Sequence, residues 1–181
     1  MFFILTSLRF NIFKNPGCAM KTAIYPGTFD PITYGHLDIL QRAGKIFDKI
    51  VVAVAPNTAK GPMFPLEERM RLARENVAEV PFASVEAMEG LTVDFAKKHG
   101  ACAIIRGLRV VSDFEFEYQL AQMNRHLDSG VETVLMMPSR QYFFTSSTII
   151  KQVAHFEIDR IANFVPPNVI AALAARKNFK K

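Results

Sequence analysis

The chain has no Gly-x-Gly pair, no GxxxxGK[ST] loop, no HExxH pair and no GxSxG elbow. These absences remove the dinucleotide-binding fingerprint, the ordinary P-loop NTPases, the zincins and the usual hydrolase nucleophile. Cysteine is scarce: Cys18 and Cys102 are the two present. They are too few for a disulfide framework or for a zinc site of their own, and a reducing, cytoplasmic setting is expected. No apolar run approaches the ~20 residues of a bilayer span, so no membrane partner is expected. The four histidines, His36, His99, His126 and His155, make no ligand cluster by spacing, and no metal site built from protein side chains is expected.

What is present is a globular composition: 181 residues, 50% apolar and 22% charged. That suits one domain with a single large core. The net charge of +5 resides at the ends. Residues 1–20 and 176–181 hold Arg9, Lys14, Arg176, Lys177, Lys180 and Lys181 and no acid, leaving sixteen basic and seventeen acidic residues between them. A nucleic-acid footprint belongs on the folded surface, so no nucleic acid is expected as a partner. The boundaries read as an extension at 1–19, a folded domain at 20–176 and a basic tail at 177–181. The extension is apolar and basic, with Asn15-Pro16-Gly17 before Cys18, and its longest apolar stretch is too short for a secretory core. A transit peptide is one reading; an upstream start with Met20 as the effective first residue is the preferred one, and it makes 1–19 dispensable.

From Lys21 onward, short β-branched or apolar runs (22–25, 50–55, 84–87, 103–105, 132–137) alternate with helix-period stretches near 35–47, 65–79, 91–99 and 113–128. Two more helical stretches follow at 146–155 and 166–176. Continuous runs such as Ile50-Val51-Val52-Ala53-Val54 suit strands buried on both faces of a parallel sheet. The alternation predicts right-handed crossovers and an α/β, Rossmann-like doubly wound domain with a five-stranded parallel sheet and C-terminal helices. Pro65 opens a helix with Glu67 and Glu68 in its first turn, Asp113 precedes another, and Pro166-Pro167 starts the last.

Ligands of such sheets bind beyond the carboxyl ends of the strands. The first strand–helix junction reads Gly27-Thr28-Phe29-Asp30-Pro31-Ile32-Thr33-Tyr34-Gly35-His36, with His36 in the first turn, where free amides favour anions. His36 can donate to a phosphate there, or serve as a cap contact. The last junction, Thr145-Ser146-Ser147-Thr148-Ile149-Ile150-Lys151, puts four hydroxyl residues at a helix start, as phosphate ligands or as a plain cap. The two junctions are expected at opposite ends of one sheet, with Lys60, Arg106 and Arg109 on the loops between. Together they describe a polyphosphate cradle without a P-loop.

These two junctions resemble the HxGH and ISSTxIR signatures of the nucleotidyltransferase superfamily. Here Thr33 stands in the first position of HxGH, with Thr145 for Ile and Lys151 for Arg in the second signature. Within it, Tyr25-Pro26-Gly27-Thr28-Phe29-Asp30-Pro31, Pro62-Met63-Phe64, Leu66-Glu67-Glu68-Arg69, Ile105-Arg106-Gly107-Leu108-Arg109, Asp113-Phe114-Glu115 and Met123-Asn124-Arg125-His126-Leu127 resemble the bacterial phosphopantetheine adenylyltransferase family. The resemblance runs from about 21 to 175 and makes 20–176 a nucleotidyltransferase domain. It implies adenylyl transfer from ATP to 4′-phosphopantetheine, giving dephospho-CoA and pyrophosphate. It also implies Mg²⁺ held mainly by ATP phosphates, a homohexamer, and coenzyme A as feedback inhibitor. His36, Lys60, Thr28 and Arg109 would be catalytic. Thr28, Lys60, Leu91, Thr92, Arg106 and Asn124 would hold the acceptor. Thr28, Phe29, His36, Gly107, Leu108, Arg109, Glu117, Tyr142, Phe143, Phe144, Thr145, Ser146, Ser147 and Thr148 would bind ATP. Tyr142 and Phe116 stand where many relatives carry Trp and Tyr. Another adenylyl- or cytidylyltransferase of the superfamily is the near alternative. An RNA-binding protein using the basic ends is the non-enzymatic one.

Overall fold

The computed structural model describes residues 20–56 and 61–178. The extension 1–19, Lys60 and tail residues 179–181 lie outside the described residues. Five strands, β1 (Thr22–Gly27), β2 (Lys49–Val54), β3 (Ala83–Ala87), β4 (Ala103–Gly107) and β5 (Glu132–Met136), form one parallel sheet in the order β3-β2-β1-β4-β5. The helices are α1 (Tyr34–Ala43), α2 (Leu66–Val77), α3 (Thr92–Lys98), α4 (Val111–Leu127), α5 (Ser147–Phe156) and α6 (Pro167–Asn178). Short 3₁₀ turns at Arg140–Tyr142 and Ile158–Ile161 precede α5 and α6. The expected α/β doubly wound architecture is the one observed.

Continuous apolar runs form the inner strands because both faces are covered. Ala23, Tyr25, Ile50, Val52 and Ile105 belong to one buried cluster with residues of α1, α2, α5 and α6. The alternating Ile24, Val51, Ala53 and Ile104 pack with Val93, Phe95 and Ala96 of α3 on the other side. The edge strands β3 and β5 are only half-buried. Pairing sets Gly27 level with Val54, and Gly107 level with Met136. The carboxyl ends therefore make a rim, and strand order reverses between β1 and its neighbours β2 and β4, where ligands of this fold class bind.

Element boundaries differ from expectation for identifiable reasons. β1 and β4 each run two residues further, so Gly27, Arg106 and Gly107 are strand residues rather than loop residues. α1 ends at Ala43, with Gly44 as its C-cap packed against the Phe82 ring. α4 begins at Val111, so Asp113 sits inside the first turn, where the helix dipole favours its carboxylate. Gly100 closes α3 at φ 60°, the left-handed conformation that favours glycine.

Candidate active site

The β1–α1 junction is held in one conformation by its own side chains. Phe29 is 3% exposed and takes a positive φ of 47°, a strained arrangement for a residue with a Cβ. Its ring sits edge-on to Tyr25 and His36, at centroid distances of 5.5 and 5.1 Å. A side chain on Gly27 would start 3.0 Å from that ring, so glycine is required for the close approach. Asp30 is buried; it accepts from the Met63 and Phe64 amides, each at 2.8 Å, and pairs with the Lys151 ammonium of α5. The Asp30–Pro31 peptide is cis.

Thr33 and His36 form a capping box at the start of α1. The Thr33 N–H donates to His36 Nδ1 at 3.0 Å. A backbone amide can only donate, so Nδ1 is the acceptor nitrogen and the neutral ring carries its proton on Nε2. Burial, reinforced by the Arg109 charge, pulls the His36 pKa down to about 4. At neutral pH His36 is thus an uncharged donor of fixed tautomer lining the pocket. It is cap and candidate donor at once.

The second junction corrects the expected layout. β1 is central in the sheet, and the chain returns after β5 to set the start of α5 against the β1–α1 loop. Ser147 Oγ donates to the Pro31 carbonyl at 2.8 Å. The two hydroxyl-rich junctions are therefore one wall of one pocket, not opposite ends of a sheet. Ser146 is the N-cap of α5, accepting from the Ile149 amide at 3.1 Å. Thr145 Oγ1 is buried without a hydrogen-bond partner among the described residues. Such an orphaned hydroxyl beside a pocket suits a ligand oxygen.

On the β4 side, the Arg106 guanidinium grips both carboxylate oxygens of Glu117 at 2.7 Å and donates to the Pro26 carbonyl at 3.2 Å. Arg109 faces Asp113 at 3.4 Å. The sequence placed Arg106 and Arg109 on loops; the structure pairs each with an acid of α4, which packs beside β5.

The resulting pocket has a volume of about 590 Å³. Of the expected site residues it gathers Thr28, Phe29, His36, Arg106, Gly107, Arg109, Glu117, Tyr142, Thr145, Ser146, Ser147 and Thr148. Leu91, Thr92, Leu108, Asn124, Phe143 and Phe144 are not among its lining residues. Leu91 is exposed, the Thr92 hydroxyl points to Met88 Sδ at 3.9 Å, and Phe144 is 80% exposed. Asn124 lies along α4, away from the rim. Asp30, Lys151 and Arg69 are not among the expected site residues, and the structure ties all three to the β1–α1 loop. The signal for Arg69 was its place on the apolar stripe of α2, three, four and eight residues before Leu72, Ala73 and Val77.

Two helix N-termini, two arginines and an uncharged histidine donor around one cleft suit a polyphosphate better than any single anion. A family model described as cytidylyltransferase-like matches residues 24–153. Curated relatives decide the family. The phosphopantetheine adenylyltransferase of Opitutus terrae is 53% identical over 156 residues, covering 86% of this chain and 97% of the relative. That of Methylococcus capsulatus is 53% identical over 152 residues, covering 84% and 93%.

The chain belongs to the phosphopantetheine adenylyltransferase family.

Solved structures agree on the fold. Plasmodium falciparum nicotinic acid mononucleotide adenylyltransferase complexed with NaAD aligns with a TM-score of 0.66 at 16% identity, over 86% of this chain and 95% of that one. A putative nicotinate-nucleotide adenylyltransferase from Vibrio parahaemolyticus aligns with a TM-score of 0.59 at 15% identity, over 85% and 91%. Among the described residues, no helix is long and apolar enough to cross a membrane.

Proposed function

We propose that this chain transfers the adenylyl group of ATP to 4′-phosphopantetheine, releasing pyrophosphate and forming dephospho-CoA. The observation that carries the reading is His36: an uncharged Nε2–H donor in the first turn of α1, lining the same pocket as the start of α5, in a chain 53% identical to named phosphopantetheine adenylyltransferases. A terminal phosphate of the acceptor is already anionic at pH 7, so no general base is required. Its oxygen attacks the α-phosphorus, that new P–O bond forms, and the bond to the β-phosphate breaks with the electron pair leaving on pyrophosphate. The difficulty is bringing two polyanions together, which positioned donors and cations answer.

In this reading the His36 Nε2–H meets charge developing on the α-phosphate, and Thr28 and Lys60 hold the acceptor phosphate. Arg106 orients the acceptor, with Leu91, Thr92 and Asn124 reserved for its pantetheine arm. Phe29, Gly107, Leu108, Arg109, Glu117 and the segment from Tyr142 to Thr148 take ATP. Mg²⁺ supplies charge neutralisation on the ATP phosphates. The two carboxylates of the pocket support that assignment, since Asp30 is committed to Lys151 and two amides and Glu117 to Arg106. Coenzyme A carries the same pantetheine arm and would compete for the acceptor side. We place the enzyme in the cytosol as a homohexamer. α4 supports self-association: Val111, Phe114, Phe116, Tyr118 and Met123 are exposed along it, more apolar surface than one soluble helix ordinarily leaves bare.

The test is pyrophosphate release with ATP and Mg²⁺ against a panel of acceptors. Turnover with 4′-phosphopantetheine and none with pantetheine, which lacks the nucleophile, is expected. Faster turnover with nicotinate mononucleotide, or with CTP in place of ATP, would overturn the reading. Sedimentation of the wild type beside Phe116→Glu checks the assembly, the variant being expected to dissociate.

A further inference from the structure

Among the described residues, Arg69 is the largest fully buried side chain, with no exposed surface. A buried guanidinium is costly to desolvate, and an apolar residue of its volume would fill the same space more cheaply. Its hydrogen bonds explain its presence. Nη1 donates to the carbonyls of Thr28 and Ala55, each at 2.7 Å. Nη2 donates to the Pro56 carbonyl at 2.6 Å, and Nε to the Phe64 carbonyl at 3.1 Å. One rigid fork thus ties together three segments remote in sequence: the loop after β1, the end of β2 and the approach to α2. The first and last are joined again in front of Arg69, where the Asp30 carboxylate takes the Met63 and Phe64 amides.

The peptide between Thr28 and Phe29 is planar and trans, so its carbonyl and its N–H point in opposite directions. With the Thr28 carbonyl fastened to Arg69, the Phe29 N–H is turned away from the clamp. Thr28 and Phe29 line the pocket and Arg69 does not, so the clamp stands behind the loop and the amide lies on its pocket side. That orientation also holds Phe29 at its positive φ of 47°. An amide aimed in advance at a reacting phosphate needs no reorganisation when charge develops there.

We propose that Arg69 is a positioning residue for phosphate chemistry in this pocket, setting the Thr28–Phe29 peptide through its carbonyl while touching no substrate itself. The proposal rests on the adenylyl-transfer reading. Lysine keeps the charge but cannot bridge four carbonyls at once.

The experiment pairs amide exchange with a double-mutant cycle. In Arg69→Lys, exchange of the Met63 and Phe64 amides should accelerate by about tenfold, while β4 amides keep their rates. This arm needs no substrate. In steady state, Arg69→Lys should lower kcat by about tenfold or more with the KM for ATP little changed, and Thr28→Ala should cost markedly less in the Arg69→Lys background than in the wild type. Arg69→Gln, which retains part of the fork without the charge, should fall between. Additive effects of the two substitutions, unchanged amide exchange, or failure of both Arg69 variants to fold would overturn the positioning role. A wild-type enzyme that turns over a different acceptor would overturn the adenylyl-transfer reading while leaving the exchange and cycle measurements to judge Arg69.

Discussion

Replacing His36 by alanine removes two functions assigned to one ring, the proposed phosphate donor and the helix cap. The substitution deletes the Nε2–H directed at the pocket and the Nδ1 acceptor that takes the Thr33 amide at 3.0 Å. Losing one donor that meets transition-state charge costs about 2.7–4 kcal/mol, or roughly 10²–10³ in kcat. Losing half of the capping box costs about 1 kcal/mol of stability, a shift of roughly 2–4 °C in Tm for a chain of this size. We expect both, with the KM for ATP little moved, because the donor acts on the transition state rather than on bound nucleotide. Thr33→Val is the control. It removes the hydroxyl, which accepts the His36 amide at 3.4 Å and donates to His36 Nδ1 at 3.0 Å, but leaves the Thr33 N–H that fixes the tautomer. It should lower Tm to a similar extent with a much smaller loss of kcat. Pyrophosphate release and thermal melts monitored by circular dichroism read the two effects. A folded His36→Ala enzyme with near-normal kcat would refute the reasoning, and so would a Thr33→Val enzyme as impaired in turnover as His36→Ala. The pH dependence has a definite sign. His36 titrates near 6.5 when unfolded and near 4 when folded, so the folded state binds fewer protons between those values. Its contribution is fully present above about pH 6.5 and is lost as pH falls toward 4; integrated over the shift it is roughly 3 kcal/mol at most. The wild type should therefore lose more stability than His36→Ala between pH 6.5 and 4.

Three further outcomes are expected. Arg106→Lys cannot reproduce the two-pronged grip that sets the guanidinium on the pocket wall, so it should raise the KM for 4′-phosphopantetheine by about tenfold, roughly 1.4 kcal/mol, and releasing Glu117 should raise the KM for ATP as well; weakened ATP with the acceptor untouched would reverse the assignment. Gly44→Ala would bring a Cβ within 2.3 Å of the Phe82 ring. Although Gly44 has ordinary right-handed dihedrals, the clash should outweigh the helix preference for alanine and cost about 1–3 kcal/mol; an unchanged or raised Tm would show that Phe82 yields freely. A chain beginning at Met20 should keep its turnover and assembly state, and a large drop in Tm or a change of sedimentation would assign residues 1–19 a packing role.

Much of this protein is written locally in its sequence. Continuous apolar runs such as 50–54 determine strands covered on both faces, and their alternation with helical periods determines a parallel doubly wound sheet. The glycine at 27, the hydroxyls at 145–148 and His36 mark the two junctions that line the pocket, because close backbone approach and helix caps favour those residue types. Strand order is different in kind. Buried apolar strands are nearly interchangeable by pattern, so only packing set β1 at the centre and returned α5 against it, merging two junctions into one pocket. The sequence likewise names Arg69, Arg106 and Lys151 only as cations. Whether such a group is solvated, paired or clamped depends on which acids and carbonyls the fold carries to it: Glu117 from α4, Asp30 from the first loop, and four carbonyls around Arg69. Charge is a property of a residue, but its partners lie 11 to 121 positions away in the Arg106–Glu117 and Lys151–Asp30 pairs, and only the tertiary structure brings them within reach.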